Sequence, residues 1–344
     1  MKLSYRTYTL KLREPIGAKV SKEVVFLEIE HEDIIGIGEA SPSERMGETT
    51  QSILEFFMKI DEEYLHSLFD PSKILAFIEK MGPGNNAAKA AIDMAVNDWM
   101  AKVKNMPLWR MFKLSPLHMP RSTYTITGTT LEEFEKKIRQ ADSYPYLKLK
   151  LGFDNDIEIV KELRVITDKP FYVDVDEGWS PKENAYEKIL ILQSLGIQFV
   201  EQPLKANDLE GMRWLKNRVR VKLIAEESCV AVQNLVSLKG LFDGVNLKLM
   251  KCGGVMKTLQ LIYTAKRILG MSVMIGSTLE SSVGISAALQ ISPLAELCHL
   301  DGNLHLQNDP YVGAHNHSGI LILNDQTGIG VSRSETFPHK NSIT

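Results

Sequence analysis

Between residues 121 and 303, short apolar runs alternate with longer amphipathic ones. TYTIT (123–127) precedes LEEFEKKIRQAD, LKLKLG (147–152) precedes DIEIVKELRVIT, and FYVDVDEGW (171–179) precedes PKENAYEKILILQSLG. IQFVEQPL (197–204), KLIAEES (222–228), GVNLKLMKCGG (244–254) and MSVMIGSTLE (271–280) each lead into a further such stretch, and ELCHLDGN (296–303) comes last. Runs of period two read as strands, and the longer runs carry the 3.6 spacing of helices. Strand–helix alternation predicts a parallel sheet. Eight strand-like runs, seven with a following helix, predict an α/β fold: a closed (β/α)7–8 barrel of the TIM type whose eighth helix is not evident. An open doubly wound sheet competes with it. That fold would show a glycine-rich phosphate loop after an early strand, and no GxGxxG stands there.

The first ~115 residues follow a different rhythm and predict an α+β unit. VVFLEIE (24–30) and IIGIGEAS (34–41) form a hairpin around HED, and MKLSYRTYTLKLREP alternates like a strand. SILEFFMKIDEEYLHSLF (52–69) has helical spacing. A second helical pattern, rich in small residues, runs from Asn86 and ends near Asn105–Met106–Pro107. LILNDQTGIGVSRS, near the C-terminus, is strand-and-turn material that returns to this unit. The expected division is a cap over 1–115, a barrel over 116–305, and a returning segment over 306–344.

Composition narrows the partners. The chain has 344 residues and a net charge of −3, which gives no reason to expect nucleic acid or an anionic membrane. It contains no apolar run of transmembrane length and no signal-peptide pattern. Cys229, Cys252 and Cys298 form no CxxC pair and no disulfide framework, so a reducing cytoplasm is expected.

The chemistry lies at the C-terminal ends of the strands. Thr125, Lys150, Asp174, Glu201, Glu226, Lys248, the Gly276–Ser277 turn and Asp301 follow one another at separations of 25, 24, 27, 25, 22, 28 and 25 residues. A barrel gathers such positions into one ring, at the face where barrels build active sites. Three acids on adjacent strands repel one another unless a cation compensates them, and their oxygens suit octahedral Mg²⁺. Two lysines flank the acids. That set suits removal of a proton α to a carboxylate: the metal stabilises the developing enediolate, one lysine takes the proton as an amine, and the other returns one as an ammonium. Lys148, two residues before Lys150, shares its strand face. Its charge and the metal together would lower the Lys150 pKa, and it could contact a substrate carboxylate. Alone, each of these residues reads as a solvated lysine or a helix cap. His315 and His317, in GAHNHSG, read as a turn-rich loop rather than a metal pair.

With these residues in view, the chain resembles the muconate-lactonizing subgroup of the enolase superfamily, and within it the dipeptide epimerases. GIGEASPS (36–43), KLK (148–150), DVDEGW (174–179), EQPL (201–204), AEES (225–228), NLKLMKCGG (246–254) and LESSVGI (279–285) carry the resemblance across nearly the whole chain. It implies Lys150 and Lys248 as the acid/base pair and Asp174, Glu201 and Glu226 as ligands of one Mg²⁺ per subunit. It implies that a cap loop at about 15–22 selects the substrate side chain, and that Lys148, Thr125, Asp301, His299, Lys19 and Ser277 face substrate. Four positions depart from the pattern. Asp176 and Glu177 stand where many relatives have Asn and Gln, Glu226 stands where many have Asp, and His299 replaces the first acid of a DxD pair that binds the substrate ammonium. The implied activity is epimerisation of a dipeptide at its C-terminal residue, with L-Ala-D/L-Glu as first choice. N-acylamino-acid racemisation, o-succinylbenzoate synthesis and cycloisomerisation would use the same residues, and a Schiff-base lyase is the competitor of another class. Relatives often assemble, so a homo-oligomer is possible.

Overall fold

The computed structural model describes residues 1–16, 19–68, 70–229, 231–313 and 315–335. Three strands open the chain: β1 (Lys2–Ile16), β2 (Lys19–His31) and β3 (Ile34–Ala40). They form one antiparallel sheet in the order β1-β2-β3. Glu32 and Asp33 take the left-handed conformation, φ 50° and 61°, so β2 and β3 meet in a two-residue turn that matches the strand twist. Then come α1 (Thr50–Met58), α2 (Glu62–Leu68), α3 (Pro71–Lys80), α4 (Asn86–Val103) and α5 (Leu108–Met111). The single helix expected over 52–69 is broken between α1 and α2. Asp61 stops it: its side chain accepts from Tyr64 N at 3.0 Å and caps a new helix. The helical periodicity of α3 went unread in the sequence.

Helix α4 joins the layers. Most of its positions are buried, including Lys89, Asp93, Asn97 and Asp98. Gly36 and Gly38 let it lie directly on β3: a Cβ at Gly38 would stand 1.9 Å from the Ala91 carbonyl oxygen. Asp98 accepts from Ile37 N (2.9 Å) and from Ile329 N (2.8 Å), tying the sheet to the C-terminal segment as the sequence suggested. Three buried cysteines are free thiols.

The barrel strands are β4 (Tyr124–Ile126), β5 (Leu147–Lys150), β6 (Phe171–Asp174), β7 (Phe199–Glu201), β8 (Lys222–Ala225), β9 (Gly244–Lys248), β10 (Ser272–Gly276) and β11 (Leu297–His299). They pair in chain order as one eight-stranded parallel sheet. Ser122 bridges Cys298 in parallel, with Thr123 N donating to Cys298 O at 3.0 Å, which closes the ring. The interleaved helices are α6 (Leu131–Gln140), α7 (Asp156–Ile166), α8 (Lys182–Ser194), α9 (Leu209–Lys216), α10 (Val232–Ser237), α11 (Leu249–Cys252) with α12 (Val255–Tyr263), and α13 (Ser282–Ile291). After β11 a short 3-10 turn, Gly302–His305, replaces the eighth helix. The chain then runs through β12 (Tyr311–Val312), β13 (His315–His317), β14 (Ile320–Ile322) and β15 (Ser332–Arg333). His315 and His317 lie in the β13–β14 hairpin, both exposed, where a loop was expected.

Side-chain alternation sets the barrel's polarity. Leu147 and Leu149 pack outward into the main core. Inside, Tyr172, Phe199, Ile224 and Met274 fill one end, with Tyr172 and Phe199 stacked at 4.1 Å between ring centroids. On β6, β7 and β8 the next inward residues toward the C-terminal end are Asp174, Glu201 and Glu226. An apolar plug therefore closes the barrel below the polar ring. Among the described residues, no helix is long and apolar enough to cross a membrane.

Candidate active site

A cavity of about 1060 Å³ lies over the C-terminal ends of the barrel strands, roofed by the cap. Lys148, Lys150, Lys248, Thr125, Ser277, His299 and Asp301 reach it from the barrel, and Lys19, Lys22 and Arg45 from the cap. Of the cap loop expected at about 15–22, Gly17 and Ala18 lie outside the described residues.

Strand register explains the ring. Lys150 pairs with Asp174 across β5–β6, and Asp174 with Glu201 across β6–β7. Neighbours in register on a parallel sheet share a face, so these three side chains enter the barrel together. Lys148 lies one layer deeper, only 1% exposed, with its ammonium 2.8 Å from Asp174 and 2.9 Å from Glu201. Lys150 reaches up from there: its Nζ is 2.7 Å from Asp174 Oδ2 and 2.8 Å from Asp176 Oδ2. Across the barrel, Lys248 Nζ is 2.7 Å from Glu226 Oε1, and Lys251 contacts the same oxygen.

Burial and charge compete at every group here. Burial alone would lower the Lys148 and Lys150 pKa values, but the carboxylates around them outweigh it and raise both. Lys150 is held well above the ordinary lysine value by Asp174, Asp176 and Glu226. Lys148 and Lys150 do oppose each other, but without a cation the carboxylates outweigh that repulsion; the lowering is expected from Lys148 and the metal together. Burial raises Asp174, yet Lys148 and Lys150 bring it below the usual carboxylate range. Burial and then Asp174 push Glu201 up to about 8.

These residues fit a divalent cation. Glu226 Oε2 is buried with neither a hydrogen-bond nor an ammonium partner, and Asp174 Oδ2 and Glu201 Oε2 meet only lysine ammoniums. Unpartnered buried oxygens are rare, and a hard cation satisfies them. Ligand atoms of Asp174, Asp176 and Glu226 lie within 4.8 Å of one another. Glu201, expected in the set, sits against Lys148 and accepts from Asn246 Nδ2 at 2.8 Å. Asp176 joins because its backbone is left-handed, φ 49°, which turns its carboxylate back to Lys150.

At β4 and β11 the site is differently built. His299 bonds Thr123 Oγ1 through Nδ1 (2.8 Å) and Thr125 Oγ1 through Nε2 (3.1 Å). Burial, then Lys148, lowers its pKa to about 3, so the ring is neutral. Asp301 accepts from Thr125 N at 2.7 Å and lies 3.4 Å from His305 Nε2. Burial raises its pKa, but His299, His305 and Thr125 reverse the shift. Ser277 is pinned by its backbone to His299 O at 3.1 Å. Lys19 stays on the cap, 3.8 Å from Glu44. Glu177, by contrast, accepts from Ala206 N at 2.6 Å and serves the loop.

Arg45 went unread in the sequence. It reaches from the cap to Glu227 (3.0 Å) and Asp176 (3.5 Å). No periodicity relates a cap loop to a barrel rim, so nothing in the spacing could have found it.

Residues 11–112 match the N-terminal domain of the mandelate racemase / muconate lactonizing enzymes, and residues 130–336 match the enolase C-terminal domain-like family. The chain belongs to the enolase superfamily. It is 36% identical to an L-Ala-D/L-Glu epimerase of Bacteroides thetaiotaomicron, over 97% of this chain and 88% of that one. It is 31% identical to an L-Ala-D/L-amino acid epimerase of Flavobacterium johnsoniae, over 96% and 99%. A crystal structure of a dipeptide epimerase from Enterococcus faecalis, complexed with Mg and L-Leu-L-Tyr, superposes with a TM-score of 0.89 at 28% identity, covering 96% of this chain and 99% of that one. Within this superfamily fold, β5 and β9 are four places apart in an eight-strand ring, so Lys150 and Lys248 stand on opposite sides of the cavity.

Proposed function

We propose that this enolase-superfamily protein is a Mg²⁺-dependent dipeptide epimerase that moves a proton at the α-carbon of the C-terminal residue. One observation carries the reading: Lys150 and Lys248 face each other across a ring of buried carboxylates under one cavity. Two bases on opposite faces of one carbon suit inversion, because one removes a proton while the other delivers one. Asp174 and Glu226 would hold the cation, with Glu201 or Asp176 completing the set. The cation, when bound, supplies positive charge where the enediolate oxygens develop. The chain's residues do the rest. Lys150 and Lys248 hold or accept the α-proton at Nζ, and Lys148 fixes Asp174 and Glu201. Asp301, with Thr125, offers an acceptor to the substrate's amine.

The cap wall supports an acidic side chain in the substrate, hence L-Ala-D/L-Glu. Lys19, Lys22 and Arg45 all line the cavity there. Among the described residues no carboxylate pairs with Lys22. It donates to Pro42 O at 2.5 Å and keeps further donors for a ligand.

A second reading, N-acylamino-acid racemisation, has one observation in its favour. Asp301 already accepts from Thr125 N and contacts His305, so a substrate without an ammonium would leave no buried acceptor unpaired. The test is chiral analysis after incubation with L-Ala-L-Glu, L-Ala-L-Leu and N-acetyl-L-Glu, with Mg²⁺ or with EDTA. The reading requires Mg²⁺-dependent inversion of the dipeptides, fastest with Glu. Inversion of N-acetyl-L-Glu alone would favour the second reading, and activity in EDTA would overturn both.

A further inference from the structure

Lys251 has no part in the proton transfers above, yet it is buried against the site, 7% exposed. Its ammonium contacts Glu226 Oε1 and lies 3.3 Å from Glu227 Oε1. Lys248 Nζ is 2.7 Å from the same Glu226 oxygen. One carboxylate oxygen therefore carries two ammonium partners, while Glu226 Oε2 has no hydrogen-bond partner.

The two lysines differ in how they are held. Lys248 ends β9, at the cavity wall. Lys251 lies in the single turn α11, which closes at Gly253 with φ 90°. The cap helix braces that turn: Asn86 Nδ2 donates to Lys251 O at 2.8 Å, and Asp93 accepts from Val255 N at 2.6 Å just beyond it. To meet a substrate α-carbon, the Lys248 ammonium must leave Glu226. Lys248 leaves Oε1, whereas the oxygen open to a cation is Oε2; a buried Oε1 stripped of every partner is costly, and that cost would oppose the motion.

We propose that Lys251 is a positioning residue that keeps Glu226 fixed and charge-matched while Lys248 moves to the substrate. This rests on the roles given above to Lys248 and Glu226. Lys150 has its own partners, Asp174 and Asp176, on the far side of the barrel. Of the two acid/base lysines only Lys248 shares an oxygen with Lys251, so the larger effect of Lys251 falls on that face of the reaction.

The test compares wild type, Lys251→Met and Lys251→Arg with Mg²⁺ in D₂O, starting separately from L-Ala-L-Glu and L-Ala-D-Glu. Initial α-deuteration is read before inversion accumulates. In Lys251→Met, deuteration from one epimer falls by about 10–100-fold, while that from the other stays within about threefold. Lys251→Arg, which keeps the charge, exchanges faster than Lys251→Met from the affected epimer. Circular dichroism and Tm establish that the variants are folded, and Lys251→Gln replaces Lys251→Met if the latter is not. An equal fall from both epimers, or no fall from either, overturns the proposal. A wild-type enzyme that deuterates neither epimer overturns the epimerase reading as well.

Discussion

Replacing Lys148 by Met separates the account's charge argument from packing. Met conserves most of the side-chain volume and removes only the ammonium. In the wild type that ammonium lies 2.8 Å from Asp174 and 2.9 Å from Glu201, with all three groups essentially out of solvent. No screening discount applies, so removing Lys148 should cost about 3–5 kcal/mol, the usual penalty for an uncompensated buried charge, here that of Asp174, since Glu201 is pushed up to about 8. The folded-state pKa of Lys148 is raised, so its contribution is fully present below the ordinary lysine value. It is lost only as pH rises through the elevated folded value, and neutral assays see all of it. Mg²⁺ changes the result. If Asp174 and Glu201 face the cation seat, a bound cation compensates the charge that Lys148 no longer covers. Urea denaturation at pH 7 should show the full loss in EDTA and a much smaller loss in saturating Mg²⁺. Lowering the pH should also shrink the EDTA penalty, as the carboxylates protonate. An equal penalty with and without Mg²⁺ would refute the shared-charge argument, and so would no penalty at all.

Three further outcomes follow from the same structure. Glu39 is fully buried, and its carboxyl is pushed up to about 8 by burial and then by Glu280, so folding favours its protonated form and stability falls between about pH 4.5 and pH 8. Glu39→Gln should flatten that fall, worth up to about 5 kcal/mol at one pKa unit per 1.36 kcal/mol, and an unchanged slope in urea titrations across pH would count against it. Gly38→Ala should destabilise the protein by about 1–3 kcal/mol or more, because the new methyl meets the Ala91 backbone rather than a side chain that can move; wild-type stability would deny the close approach of β3 and α4. Lys22→Met should reduce kcat/KM for L-Ala-L-Glu by at least about tenfold while leaving L-Ala-L-Leu within about threefold, and an equal loss for both substrates would remove Lys22 from the side-chain pocket.

Much of the barrel was legible because it repeats. One strand–helix unit per ~25 residues turns a linear list of polar strand ends into a ring, and Lys150, Asp174, Glu201, Glu226 and Lys248 all enter that ring. The missing eighth helix was legible too, since Gly302–His305 forms only a turn. What stayed hidden depends on height and direction rather than order. Lys148 and Lys150 share a face, but only depth in the barrel decides that one is sealed between two acids while the other reaches the cavity. Asp176 turns toward Lys150 through a left-handed backbone that no apolar pattern encodes. Arg45 arrives from a cap loop 131 residues away in sequence from Asp176. Asp61 ended a helix whose apolar rhythm continued through it, because a side-chain cap overrides periodicity.

The central claim is that Lys150 and Lys248 serve opposite faces of one α-carbon. The direct test is α-deuteration of L-Ala-L-Glu and L-Ala-D-Glu in D₂O with Mg²⁺, using Lys150→Ala and Lys248→Ala separately. Each variant should lose inversion by about 10²–10⁴-fold, and each should still deuterate one epimer, Lys150→Ala the one that Lys248→Ala cannot. Two variants that fail on the same epimer would contradict the account, as would exchange that survives loss of both lysines.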